Sequence, residues 1–329
     1  MKSDVGLTDN LVLRKLVLAL IIGITAGILR IQLAYAIAPL LGNGAGDFSF
    51  ATLIARDLWH GLDPYRHGFG HDGVPYPLPA GLIAMPFAIL PDELASGVFI
   101  GLSSFVLAWC LLSNGRTWPL LIFLSWPFAY AVLFSQWTPL LMCIWYLPAL
   151  LPLVLVKPHI AFPLIMTSGV TRKGLILTFL LLLLSLIIRP TWPLVWLGQT
   201  GTYRGTPPLL SLPLGPILLL ALFKYRDRRA WLLILLALMP QRVLYDQLPL
   251  FLIATSGVEI IFLVVCSWLT LPVLFSSGGW THVPVNWQFW IVLTLYLPAL
   301  IILFLPNISD FAKTIYVRIR PAFMRMTTH

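Results

Sequence analysis

Residues 11–33 read LVLRKLVLALIIGITAGILRIQL, an apolar run broken only by Arg14 and Lys15 near its start and by Arg30 and Gln32 near its end. As a helix rising about 1.5 Å per residue, such a run is long enough to cross the hydrocarbon layer of a bilayer. The basic N-terminal flank orients it from the cytoplasm outward. Further apolar segments follow near 76–90, 95–112, 117–134, 137–156, 159–168 and 174–188, then near 209–223, 230–241, 246–255, 257–275 and 287–305. Hydrophobic residues make up 59 % of the 329-residue chain and charged ones 10 %, and the mean hydropathy is +0.91. A soluble domain carries about a quarter charged residues, and a barrel would show ten-residue alternating strands. The fold class expected is therefore all-α: a polytopic transmembrane bundle of about 10–12 hydrophobic segments.

The net charge of +9, from 21 basic and 12 acidic residues, lies in short loops. Membrane topology and lipid headgroups account for it better than nucleic acid does. Lys2, Arg14 and Lys15, the pair Arg172 and Lys173, the cluster Lys224 to Arg229, and the tail with Lys313, Arg318, Arg320 and Arg325 all read as cytoplasmic. Both termini are then cytoplasmic in a multi-pass protein, with the plasma membrane as the expected location. Residues 1–312 form one transmembrane domain and 313–329 a basic tail, with no internal repeat. Ala34-Tyr35-Ala36 resembles a cleavage site, but the apolar run before it suits an uncleaved anchor. Cys110, Cys143 and Cys266 lie inside apolar runs and suggest neither a disulfide framework nor a metal spacing.

The loop 34–74 concentrates polar groups: Asp47, Arg56, Asp57, Asp63, Arg66, His67, His71 and Asp72. Within it, Phe50, Leu53, Ile54, Leu58 and Trp59 recur at helical intervals, so Phe48 to Gly61 is expected to lie in the interface as an amphipathic helix, apolar face down. Pro119, Pro127, Pro139, Pro148, Pro152, Pro158 and Pro163 crowd the region 117–168. Broken helices persist at membrane depth where protein or water satisfies the freed backbone, so this region is expected to line a cavity.

Ionisable residues near membrane depth are expensive and are functional candidates by default. In chain order they fall in Gly46-Asp47-Phe48, Gly61-Leu-Asp-Pro-Tyr65, Val74-Pro-Tyr-Pro-Leu-Pro79, Ser135-Gln136-Trp137, Val156-Lys157-Pro158-His159, Arg189-Pro190, Arg242 and Tyr245-Asp246. This succession, over roughly residues 10–260, resembles the integral-membrane glycosyltransferases of the GT-C superfamily. It is most similar to the polyprenyl-phosphate-mannose-dependent mannosyltransferases of family 87. Two departures stand out: Ser135-Gln136 replaces the family's Gly-Gln, and the chain is shorter than typical members.

The resemblance implies inverting transfer of a hexose, mannose first, from a polyprenyl-phosphate donor to a lipid, glycan or protein acceptor on the non-cytoplasmic face. By position Asp47 is the general base. Lys157, with His159, Arg189, Arg204 and Arg242, would hold the donor phosphate. Tyr65, Tyr76, Gln136, Tyr245 and Asp246 would orient substrates. A divalent metal is compatible with this scheme, but no residue demands one, and no cofactor is expected. The rival classes are a lipid or solute transporter and a non-catalytic subunit with the same fold.

Each residue also has a plainer reading. Asp47 would cap the helix after it, Asp57 and Asp63 would be helix-surface and turn residues, and Lys157 would snorkel to the headgroups. Arg242 and Asp246, four apart, would pair with one another. His67, His71 and His159 do not form a zinc spacing. The 13 tryptophans would chiefly belt the interfaces.

Overall fold

The computed structural model describes residues 3–41, 46–66, 76–200, 205–241, 245–272 and 287–305. Among them all regular structure is helical, apart from one isolated antiparallel bridge between Thr206 and Gln241. His67, His71, Asp72, Arg204, Arg242 and the tail 313–329 lie outside the described residues.

The first helix, α1 (Ser3–Leu41), is longer than the span read at 11–33, and its apolar part is Leu11–Ala36. It runs unbroken across Ala34-Tyr35-Ala36. Its partner is α4 (Asp92–Leu111), packed antiparallel through two facing pairs of glycines. A Cβ on Gly23 would stand 2.8 Å from the Gly101 carbonyl oxygen, and one on Gly27 would stand 3.0 Å from that of Gly97. Small residues four apart let two backbones approach this closely, and in lipid that contact drives helix association.

Among the described residues, three helices are long and apolar enough to cross a membrane: Leu11–Ala36, Asp92–Asn114 and Trp287–Phe304. A fourth span arises if α8 (Arg172–Ile188) and α9 (Trp192–Thr200), bent by 90° at Arg189-Pro190-Thr191, are taken together. Of the about 10–12 apolar segments expected, three or four thus form single spanning helices among the described residues, and the others there fold as shorter helical pieces. The segment 76–90 gives α3 (Leu78–Ala84) and a 3₁₀ turn. The region 117–168 gives a 3₁₀ turn at Trp118–Leu124, α5 (Trp126–Leu133), α6 (Thr138–Met142), a 3₁₀ run at Pro148–Leu155 and α7 (Pro158–Ser168). A proline stands in the first turn of each of these five pieces. There its missing N–H is harmless, while it disfavours helix in the residue before it.

The exposed surface is apolar where a lipid boundary requires it. Leu175, Phe179, Leu183 and Ile187 of α8 face outward, which suits hydrocarbon rather than water. The tryptophans do not all belt the interface: Trp137 is fully buried, and Trp126 and Trp192 are nearly so.

The helix expected at Phe48 to Gly61 is α2 (Phe48–Trp59). It buries Phe48, Ala51, Thr52, Ile54 and Ala55, whereas Trp59 is exposed. Phe48 stacks on Phe99 of α4 at 3.9 Å between centroids. Arg56 donates to the Ala88 and Leu90 carbonyls and pairs with Asp92, pinning α2 to the start of α4. The residues expected on its apolar face, Phe50, Leu53 and Leu58, are only partly buried. Asp57 is likewise buried and bonded to Arg66 at 3.0 Å, so it is not a helix-surface residue.

Candidate functional site

Two tight turns build the site. After α5 the chain closes in a Schellman motif: Gln136 N–H donates to the Ala131 carbonyl and Ser135 N–H to that of Val132. This motif places a left-handed residue just past the helix, and Ser135 holds φ +50° there. Glycine is the usual occupant of that position. Ser135 thus carries a side chain at a turn position that favours glycine.

The second turn is Gly46-Asp47. Gly46 has φ +70°, and a Cβ on it would come within 2.7 Å of the Phe134 carbonyl. Asp47 N–H donates to that carbonyl oxygen at 2.9 Å. The start of α2 is therefore docked onto the turn after α5. Its first N–H groups are satisfied by backbone: Ser49 donates to Gly46 and Phe50 to the Asp47 carbonyl. The Asp47 carboxylate makes no capping bond, which overturns the cap reading.

The carboxylate is instead engaged by Gln136, whose Nε2 donates to Asp47 Oδ2 at 2.6 Å. The other end of the amide, Oε1, accepts from Lys157 Nζ at 3.2 Å. Lys157 also donates to Asp246 Oδ1 at 2.7 Å and stands 4.5 Å from the centre of the Tyr245 ring. His159 Nε2 lies 3.7 Å from Asp246 Oδ2. Asp47, Gln136, Lys157, Asp246 and His159 thus form one continuous polar line. Gln136 and Asp246 are fully buried and Lys157 is 7 % exposed.

Local sequence explains each projection. Pro158 keeps Lys157 extended (φ −142°, ψ 76°) in the break before α7. His159 follows in the first turn of α7. Tyr245 and Asp246 precede a 3₁₀ run at Leu248–Ile253, and Tyr245 stacks on Tyr130 at 5.9 Å. Burial on its own would push the Asp246 carboxyl up, but the Lys157 ammonium and then His159 outweigh it and hold the group down at about 2. Lys157 is therefore an interior ion-pair residue, not a snorkelling one. Asp246 accepts from Lys157 and has His159 at 3.7 Å, and Arg242, the partner expected four residues before it, is outside the described residues.

A second group lies beside the first. Arg189, at the bend between α8 and α9, bonds to Asp63 Oδ2 at 2.5 Å, and its guanidinium carbon stands 5.9 Å from the Tyr65 ring centre. Asp63 accepts from Tyr65 N–H at 2.9 Å, the turn expected of Asp-Pro-Tyr. The Tyr65 hydroxyl donates to the Tyr76 carbonyl at 3.1 Å. Burial pushes the Tyr65 phenol up, with Arg189 acting in the opposite sense. Tyr76 faces Trp137 at 6.4 Å, which carries the contact to the residue next to Gln136. With its hydroxyl bonded to the Tyr76 carbonyl, Tyr65 ties the Asp-Pro-Tyr turn to the entry of α3.

Sequence reasoning missed Asp63 as the partner of Arg189, 126 positions away. It also missed Trp137 and Tyr130 as the buried rings under the polar line, and the Phe134 carbonyl as the anchor of Asp47. Their only sequence signal is adjacency to Gln136 or to the Asp-Pro turn. Among the described residues no three His, Cys, Asp or Glu side chains gather closely enough to hold a metal ion. Compared with the known protein families, with curated protein sequences and with solved structures, the chain matches none.

Proposed function

We propose that the chain is a membrane glycosyltransferase that moves a hexose, mannose first, from a polyprenyl phosphate to a lipid, glycan or protein alcohol on the non-cytoplasmic face. The observation that carries this reading is the bond from Gln136 to Asp47, with Gln136 itself held by the Lys157–Asp246 pair. A carboxylate aimed by a buried amide is a pre-oriented proton acceptor, and such a base contributes about 10²–10⁴-fold.

In the reaction proposed, the acceptor oxygen forms the new bond to the sugar C1 as its proton passes to Asp47. The C1–O bond to phosphate breaks on the opposite face, and its electron pair leaves with the polyprenyl phosphate. Inversion follows from single displacement. The leaving group is already an anion at rest, so cations serve it better than an acid. Lys157 is committed to Gln136 and Asp246, which makes it an orienting residue. His159 and Arg189 remain the other described residues assigned to the phosphate, Arg189 while paired with Asp63.

Purified protein incubated with radiolabelled polyprenyl-phosphate mannose and a crude lipid and glycan extract tests the reading. Wild type should transfer label, and Asp47→Asn should lose about 10²-fold or more with its thermal transition unchanged. Equal transfer by the two proteins removes Asp47 as the base.

A buried chain of ionisable groups between broken helices also suits a proton-coupled transporter. Proton-driven solute uptake into liposomes, abolished by Asp246→Asn, without sugar transfer would favour that reading.

A further inference from the structure

The basic clusters converge at the end of the bundle remote from Asp47. Arg14 and Lys15 lie at the start of the apolar part of α1, and the stretch Leu11–Ala36 is roughly 39 Å long at 1.5 Å per residue. That is about the thickness of a bilayer with its headgroups. Because α4 runs antiparallel, its C-terminal end and Arg116 return to the Lys15 level, where Lys15 stands 4.1 Å above the Trp109 ring.

At this end a cavity of about 450 Å³ opens between the segment after α4, the Trp145-Tyr146 turn, and the start of α10 (Arg228–Leu238). Arg116, Arg228 and Arg229 line it together with Trp118, Trp145 and Tyr146, and among the described residues no acidic side chain does. The carboxylates next in sequence to its lining residues Arg228 and Ile260 are already engaged. Asp227 accepts from Arg229 at 2.7 Å, and Glu259 accepts from the Thr255 N–H and hydroxyl at 2.6 and 3.0 Å. Arg229 is fixed further by donating to the Ile253 carbonyl. Arg228 lies 4.4 Å over the Trp145 ring. Among the described residues, neither Arg116 nor Arg228 forms an ion pair. A neighbouring cavity of about 370 Å³, lined by Arg14, Lys15 and Leu11, shares the Ser113 wall.

We propose that the 450 Å³ cavity binds the phosphate headgroup of an anionic membrane lipid, clasped by Arg116 and Arg228. Guanidinium forks match phosphate oxygens. The tryptophans supply the half-apolar wall found at headgroup depth, and the anionic leaflet supplies the ligand. The site is separate from the Asp47 line and does not depend on the reaction assigned there.

The test uses the whole protein in a neutral detergent, titrated with short-chain phosphatidylglycerol, with phosphatidylcholine of equal chain length, and with inorganic phosphate, reading the thermal midpoint. Phosphatidylglycerol should raise the midpoint saturably, and phosphatidylcholine should not. The double variant Arg116→Gln/Arg228→Gln should weaken the apparent affinity about tenfold or more, since a charge-assisted bond is worth roughly 1.5–3 kcal/mol. Arg172→Gln/Lys173→Gln removes the same charge from exposed positions that do not line the cavity, and it should bind as wild type does. Because Arg116 and Arg228 are both exposed, the ligand-free midpoint of the double variant should stay near that of wild type. Should it fall, the single variant Arg116→Gln carries the comparison. Equal weakening by both double variants, or none by the cavity pair, overturns the site. An equal response to inorganic phosphate overturns the lipid as its occupant.

Discussion

Lys157 and Asp246 meet at 2.7 Å in the interior, 89 positions apart, and the same ammonium holds the amide that holds Asp47. Both members are nearly or fully enclosed, so the pair is a commitment of the fold as well as of the site. Truncating one partner of a buried pair costs about 3–5 kcal/mol, because it strands the other charge, whereas replacing both with apolar residues is often neutral. Lys157→Met and Asp246→Leu should each lower the thermal midpoint strongly, and Lys157→Met/Asp246→Leu should recover most of the loss. A double-mutant cycle on unfolding measures this. Additive losses would show that the pair is not coupled.

The Asp246 carboxyl sets an acid limit. Its folded value of about 2 lies below the ordinary carboxylate value of about 3.9. A depressed folded value means that the stabilisation is fully present above about pH 4 and is lost as pH falls through 4 towards 2. Wild type should therefore lose stability steeply across that window. Asp246→Asn, though less stable at neutral pH, should show a flatter profile there. Matching slopes in acid unfolding curves would assign the acid sensitivity elsewhere.

Ser135 offers a stabilising change. Its left-handed φ of +50° costs a side-chain-bearing residue about 1–2 kcal/mol, and its buried hydroxyl finds no hydrogen-bond partner among the described residues. Ser135→Gly removes both penalties, and glycine's greater unfolded freedom offsets part of the gain. The expected result is a rise of about 0.5–1 kcal/mol with transfer activity kept. Ser135→Ala keeps the strained backbone and should show the smaller benefit. Chemical denaturation of the two variants separates strain from polar burial.

The contact of α1 with α4 should be intolerant of bulk. A side chain at Gly97 would overlap Ile31, its Cβ meeting Ile31 Cγ1 at 2.3 Å, and one at Gly101 would press on the Gly23 carbonyl at 3.0 Å. Gly101→Val should destabilise by at least the 1–3 kcal/mol typical of overpacking. Gly115→Ala, with nothing within 4 Å but with φ +69°, should cost only its backbone strain. Comparing the two in one detergent distinguishes close approach from backbone conformation.

The membrane class was legible from residues 11–33 and from composition, because burial in lipid demands apolar side chains regardless of tertiary partners. The number of spans was not. Prolines at 119, 127, 139, 148 and 158 are compatible with a kinked span or with separate short helices, and contacts with neighbours decide between them. The helix at 48–59 was legible from its period. Its packing was not, because Phe48 stacks on Phe99 of α4 and Ile54 and Ala55 stand against Gly81 of α3, which hydropathy alone does not reveal. The facing Gly23/Gly27 and Gly97/Gly101 pairs stood in the sequence unread, since small residues carry no hydropathy signal.

The site divides along the same line. The sequence by itself determined which groups were unusual: an acid after the first span, a lysine before Pro158, an amide after α5, and an acid at 246. Residue type and membrane cost suffice for that. Only the tertiary structure decided that Asp47 leaves its own helix uncapped and takes a bond from Gln136. Only it decided that Lys157 answers to Asp246, and that Arg189 belongs with Asp63. Hydrogen bonds act over about 3 Å, and the distance between residues 47, 136, 157 and 246 is set by how the helices pack.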